Sequence, residues 1–148
     1  MKLILILFFI TYNAMGLSSI QKFKGQISLW QRPICLESKN CPLPQPLGIN
    51  WIANLEIKKP LQPLNATTSS QVLNQGPWTV YISLYWTQPP LPAKDYIVTQ
   101  IKLVHSIYGF ITECSRYDFL ENILNFPTGS CSGRIENKQF GVTTQRVN

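Results

Sequence analysis

The run Thr79-Val80-Tyr81-Ile82-Ser83-Leu84-Tyr85-Trp86-Thr87 alternates at period two, with Val80, Ile82, Leu84 and Trp86 on one face and Tyr81, Ser83 and Tyr85 on the other. Successive side chains of a strand point to opposite faces, so the pattern predicts a half-buried β-strand with Trp86 directed inward. Pro89 and Pro90 lack the N–H that a ladder needs and must end it. Asp95 to Val104 predicts the next strand, and Tyr108 to Thr112, Cys131 to Glu136 and Phe140 to Thr144 predict three more. Gln71 to Leu73 ends an earlier edge strand, and Phe119 to Leu124 fits either a short strand or a helical turn. Gln75-Gly76-Pro77 and Phe126-Pro127-Thr128-Gly129 read as turns, and Pro89 to Ala93 as a proline-stiffened loop. Short strands punctuated by Pro and Gly specify an all-β fold, an antiparallel sandwich of about seven strands.

The front of the chain reads differently. Lys2, the apolar run Leu3 to Ile10 and the small residues of Ala14-Met15-Gly16 have the layout of a cleaved secretory signal, residues 1–16. No later apolar stretch reaches the length of about 18 residues that a membrane span requires, so the expected address is extracellular. Residues 17–59 form a basic, proline-rich segment with strand-like alternation at Gln26 to Trp30 and at Trp51 to Ile57. Lys59-Pro60-Leu61-Gln62-Pro63 breaks the pattern, and the expected sandwich domain spans residues 60–148. Cys35, Cys41, Cys114 and Cys131 are an even set, which in an oxidising compartment implies two disulfides. Three pairings are possible. The local one, Cys35 with Cys41 and Cys114 with Cys131, keeps each pair within one region and is the expectation, although spacing alone does not decide it. Asn65-Ala66-Thr67 is an N-glycosylation acceptor, which places that loop at the surface.

With Lys2 set aside, twelve basic and seven acidic residues leave a net charge of about +5. The excess lies early: Lys22, Lys24, Arg32, Lys39, Lys58 and Lys59 face only Glu37 and Glu56 before residue 60. Lys22, Lys24, Arg32, Lys58 and Lys59 are therefore the candidate patch for an acidic protein face or a sulfated glycan. The competing reading is a solvated face that keeps the protein soluble. Nucleic acid is excluded as a partner class by the secretory address and by the lack of any nucleic-acid motif.

The order of signals Ile82-Ser83-Leu84-Tyr85-Trp86-Thr87-Gln88-Pro89-Pro90, then Tyr96-Ile97-Val98, resembles strands B and C of a fibronectin type III domain. Leu124-Asn125-Phe126-Pro127-Thr128 and the run Arg134 to Val142 are similar to that family's E–F corner and F–G hairpin. The resemblance covers residues 60–148 and implies an immunoglobulin-like sandwich with Tyr96 and Val98 inward. It also implies the class of cytokine-receptor ectodomains and related secreted binding proteins. Two departures stand out: Cys131 occupies the place of the corner tyrosine, where a bridge to Cys114 could replace its clamp, and the Trp-Ser-x-Trp-Ser box is absent. A second resemblance, carried by Trp86, Pro89, Pro92, Gly109 and Cys114 in that order, is to ML-type lipid-recognition domains, secreted sandwiches that bind lipid between their sheets.

No constellation suits catalysis. His105 is the single histidine, which rules out His-pair metal or acid–base chemistry, and it is expected in a turn. Gly129-Ser130-Cys131-Ser132-Gly133 mimics a nucleophile elbow but lacks the strand–turn–helix context, and Cys131 is expected in a disulfide. Glu113, Asp118 and Glu121 read as solvated loop charges. Neither a phosphate-cradling loop nor a cofactor motif is present, so no cofactor is implied. With Tyr96 and Val98 inward, Ile97, Ile101 and Leu103 would join Tyr81 and Tyr85 on an outer face, forming an apolar surface suited to a protein partner. The alternative is that residues 17–59 cover this surface, with Trp30 or Trp51 as the plug. The sequence thus predicts a secreted, non-enzymatic, receptor- or decoy-like module, with a lipid carrier of the ML type as the alternative.

Overall fold

The computed structural model describes residues 20–35, 40–61, 65–87, 95–119 and 129–147. The expected signal segment, the loop at Pro89 to Ala93, the run Leu120 to Leu124 and the corner at Phe126 to Thr128 lie outside them. All regular structure among the described residues is strand: β1 (Ile20–Pro33), β2 (Gln45–Lys58), β3 (Ala66–Gln75), β4 (Trp78–Thr87), β5 (Tyr96–His105), β6 (Gly109–Phe119), β7 (Gly129–Ile135) and β8 (Lys138–Arg146). Two antiparallel four-stranded sheets result, ordered β2-β1-β8-β7 and β3-β4-β5-β6. The all-β sandwich expected from the sequence is therefore what forms, with eight strands.

The alternation in β4 sets the interior. Val80, Ile82, Leu84 and Trp86 are fully buried, and Phe23, Ile27, Leu29, Trp51, Leu55, Ile57 and Val142 meet them from the opposite sheet. Trp86 points inward as its period predicts, and its Nε1–H donates to Asp95 Oδ2 at 3.3 Å. Asp95 also receives Lys59 Nζ at 3.5 Å, so an indole in a dry core keeps its one polar atom satisfied. The β3–β4 turn forms where expected. Gly76 there has φ of 58°, and a glycine at the first central position followed by proline suits a two-residue hairpin turn.

Two expectations are corrected. Residues 20–58 are not an appendage to a domain that starts at residue 60. β1 lies between β2 and β8, pairing Ile27 with Thr144 and Leu29 with Val142, so the segment supplies half of one sheet. It completes the sandwich from within, and Trp51 is a core residue of that sheet. The second correction concerns chain path. Type III domains use Greek-key connections, whereas here each strand lies beside its neighbour in sequence. β2 and β3 meet across one edge of the sandwich, β6 and β7 across the other, and β8 returns to β1. The path is a flattened meander.

Both edges are closed by side chains where no ladder runs. At the β2/β3 edge, Asn54 N donates to Gln71 Oε1 at 2.9 Å and Thr67 Oγ1 donates to the Lys58 carbonyl. At the β6/β7 edge the closure is covalent: Cys114 bonds to Cys131, with Cα atoms 6.1 Å apart, and Thr112 Oγ1 donates to the Ser132 carbonyl at 3.0 Å. β6 is bulged there, so that Ile111 and Thr112 both turn inward. Gly133 lets β7 approach this bulge, since a Cβ on it would stand 1.9 Å from the Ile111 carbonyl oxygen. Cys35 bonds to Cys41, so both pairs are the local ones. Closing the loop of 17 residues is worth about 3 kcal/mol and that of 6 about 2 kcal/mol.

Candidate functional site

The meander leaves two outer faces, and the face of the β3–β6 sheet is the unusual one. Antiparallel pairing puts directly opposed residues on the same face. Val72, Tyr81, Lys102 and Glu113 therefore form one row across the four strands, and Thr68, Tyr85, Val98 and Tyr117 another. Between them runs a polar row of Ser70, Ser83, Gln100 and Ser115. Phe110, opposite Val104, extends the face toward the β5–β6 turn, where Ile107 and Tyr108 are also exposed. Tyr81 is 42% exposed, Phe110 59% and Tyr117 71%, and Val72 is half exposed, so large apolar surface faces water on this side.

The face is organised around Lys102. Its Nζ sits 5.9 Å from the Tyr81 ring centroid and 5.7 Å from that of Phe110, within cation–π reach of both. Tyr85 Oη donates to Gln100 Oε1 at 3.2 Å, and Gln100 Nε2 donates to Glu113 Oε1. The Tyr96 and Tyr117 rings lie 6.3 Å apart at the far end. These contacts hold the rings in defined positions while Tyr81, Phe110 and Tyr117 stay exposed, and a side chain already held in place loses little entropy on binding.

The structure separates the residues expected to make a partner surface. Tyr81 and Tyr85 lie on this outer face. Ile97, Ile101 and Leu103 do not: they are 2%, 7% and 0% exposed and belong to the core. The correction follows from register, because Ile97 opposes Trp86, Ile101 opposes Ile82 and Leu103 opposes Val80. Tyr96 and Val98 consequently face outward, opposite to the type III phase. Val72, Lys102, Phe110 and Tyr117 were not anticipated. A signal existed for one of them: if Cys114 turns inward to reach Cys131, period two sends Glu113, Ser115 and Tyr117 outward.

The basic residues do not gather into one patch. Lys22, Lys24 and Lys58 lie toward one end of the β1–β2 pair, with Lys22 Nζ 3.0 Å from Glu56 Oε1. Lys59 pairs with Asp95. Arg32 is ten residues along β1 from Lys22, about 33 Å away at the rise of a strand. There it donates to Gln139 Oε1 at 2.7 Å and lies 5.7 Å from the Trp30 ring centroid. Asn65 is exposed on the link between β2 and β3.

His105, expected in a turn, is the buried last residue of β5, and the turn follows it. Its Nδ1 accepts from the backbone N–H of Ile107 at 3.1 Å and of Tyr108 at 3.4 Å, and its ring packs 4.6 Å from Trp78. The imidazole thus shapes the turn that presents Ile107 and Tyr108. Glu113 is engaged by Gln100, Cys131 is oxidised, and Glu121 lies outside the described residues. No group of three potential metal ligands occurs among the described residues. Fold and face together describe a disulfide-bonded β-sandwich with one aromatic outer surface. No family model, curated protein or solved structure matches this chain.

Proposed function

We propose that this protein is a secreted, non-enzymatic binding module that recognises an extracellular protein through the outer face of the β3–β6 sheet. The reading rests on one observation: Val72, Tyr81, Phe110 and Tyr117 are exposed on one sheet face although Val80, Ile82, Leu84 and Trp86 already supply the core on the other. A sheet face that only meets water alternates apolar-in and polar-out, and large exposed apolar side chains rimmed by polar ones mark an interaction site. Lys102 and Glu113 beside the rings supply charge that can set partner register. Export is supported by the apolar run Leu3 to Ile10 and by two disulfides, which suit an oxidising compartment. A receptor- or decoy-like role follows from this address and surface. The carrier reading needs a continuous apolar channel for lipid, and the fully buried Val80, Ile82, Leu84, Trp86 and Leu103 occupy that space.

The test compares the wild type with a Tyr81→Ser, Phe110→Ser, Tyr117→Ser variant of equal thermal stability, each immobilised and exposed to extracellular fluid from its own source. A protein retained by the wild type and depleted at least tenfold by the variant supports the reading. Equal retention by both, or retention of lipid at one equivalent with no protein, contradicts it.

A further inference from the structure

The outer face of the β3–β6 sheet holds one charge that no carboxylate of the described residues meets. Register places Tyr81 on β4, Lys102 on β5 and Glu113 on β6 in a single row, with Phe110 on β6 one row nearer the turn. Lys102 and Glu113 are the only charged residues in the rows of this face, on a chain whose formal net charge is +6. Opposed residues on adjacent strands stand close enough to pair, yet these two do not. The ion pairs among the described residues are Lys22 with Glu56 and Lys59 with Asp95. Glu113 instead accepts from Gln100 Nε2, and Gln100 Oε1 accepts from Tyr85 Oη. Turning Glu113 toward Lys102 would break that chain of hydrogen bonds.

What Lys102 has is two ring faces, with Nζ 5.9 Å from the Tyr81 centroid and 5.7 Å from that of Phe110. The ring quadrupoles attract the ammonium but offer its three N–H donors no oxygen. Lys102 is exposed, so water serves those donors while the face is free. A partner that covers both Tyr81 and Phe110 also covers Lys102, which lies on the strand between them. The water then leaves, and a charge buried without an opposite charge is strongly unfavourable. A purely apolar partner surface is therefore rejected and one that brings an anion is selected. The rings hold the ammonium in place beforehand, so pairing it loses little side-chain entropy. Around this point the exposed Val72, Tyr81 and Phe110 call for apolar contacts.

We propose that the protein partner of this face presents a carboxylate side chain flanked by apolar or aromatic ones, the carboxylate seated on Lys102 and its neighbours on Tyr81 and Phe110. The proposal rests on the reading of this face as a partner site and adds the chemistry that the partner must carry.

The experiment selects a displayed library of random peptides on the intact protein, as wild type, Lys102→Gln, Lys24→Gln and the Tyr81→Ser, Phe110→Ser, Tyr117→Ser variant, all matched for thermal stability. Lys24 lies on β1 in the other sheet, so Lys24→Gln removes the same charge away from the face. Wild type and Lys24→Gln are expected to enrich peptides with Asp or Glu beside apolar or aromatic residues. Lys102→Gln, or Lys102→Met where that variant does not fold, should keep the apolar enrichment and lose the acidic one. A selected peptide should bind Lys102→Gln about tenfold more weakly than the wild type, and Lys102→Arg should restore most of the loss. Equal acidic enrichment on Lys102→Gln, or apolar peptides without an acid on the wild type, overturns the proposal and leaves the face as a partner site. The same peptides on wild type and the triple variant, or none on the wild type, overturn the reading of the face and the proposal with it.

Discussion

The two outer faces of the sandwich are built on the same inward pattern and differ in how they treat aromatic rings, although Ile20 and Ile52 are also exposed on the more polar one. On the β2-β1-β8-β7 sheet, polar side chains bond to one another: Gln145 Nε2 to Gln26 Oε1 at 3.2 Å, Gln26 Nε2 to Asn50 Oδ1 at 3.3 Å, and Gln139 Nε2 to Ser132 Oγ at 2.7 Å. Its one outward tryptophan, Trp30, lies flat across Gly141, where a Cβ would stand 2.4 Å from the ring, and is buried there. On the β3–β6 sheet the rings of Tyr81, Phe110 and Tyr117 have no such seat and stay exposed. Inward residues report how the chain folds. Outward residues are free to differ, and here they leave large rings exposed on one sheet.

That contrast can be broken by substitution. Replacing inward Trp86 by alanine should cost about 3–5 kcal/mol in chemical denaturation. The outward Tyr81→Ala should stay within about 0.5 kcal/mol, and similar costs for the two would mean that the faces are misassigned. Removing the edge bridge as a Cys114→Ser, Cys131→Ser pair should cost about 3 kcal/mol, more than the Cys35, Cys41 pair, because it closes the longer loop. Gly133→Ala should cost about 1–3 kcal/mol, since the added methyl meets the Ile111 carbonyl and β7 must move off β6. A neutral result there would deny the close approach of the two strands. At the bottom of the scale, Glu56→Gln breaks only an exposed ion pair with Lys22 and should change stability by less than about 0.5 kcal/mol.

The inner half of this design was legible in the sequence where one parity was apolar and the other was not. β4 shows that condition, and Trp86 lies where its alternation places it. β5 does not, because Tyr96, Ile97, Val98 and Ile101 put apolar residues on both parities. Gln100 and Lys102 share a parity with Tyr96 and Val98 and favour the observed phase, but the type III likeness argued for the other. β3 was visible only at its end. Its inward positions Thr67 and Gln71 are polar because they serve the β2/β3 edge, bonding to Lys58 and Asn54, and so carry no apolar signal. The pairing of β1 with β8 joins residues more than a hundred apart, such as Ser28 and Thr143, and no local pattern encodes it. The candidate surface was half legible for the same reason: Tyr81 and Tyr85 follow from the phase of β4, whereas Phe110 lies beyond a bulge that resets the parity of β6.

The most direct test of the outer-face assignment places a photo-crosslinking amino acid at Tyr81 in one protein and at Gln145, on the polar face, in another, with irradiation in the proposed extracellular setting. One dominant adduct is expected from position 81 and none from position 145. Adducts of equal yield from both positions, or from position 145 alone, would contradict it.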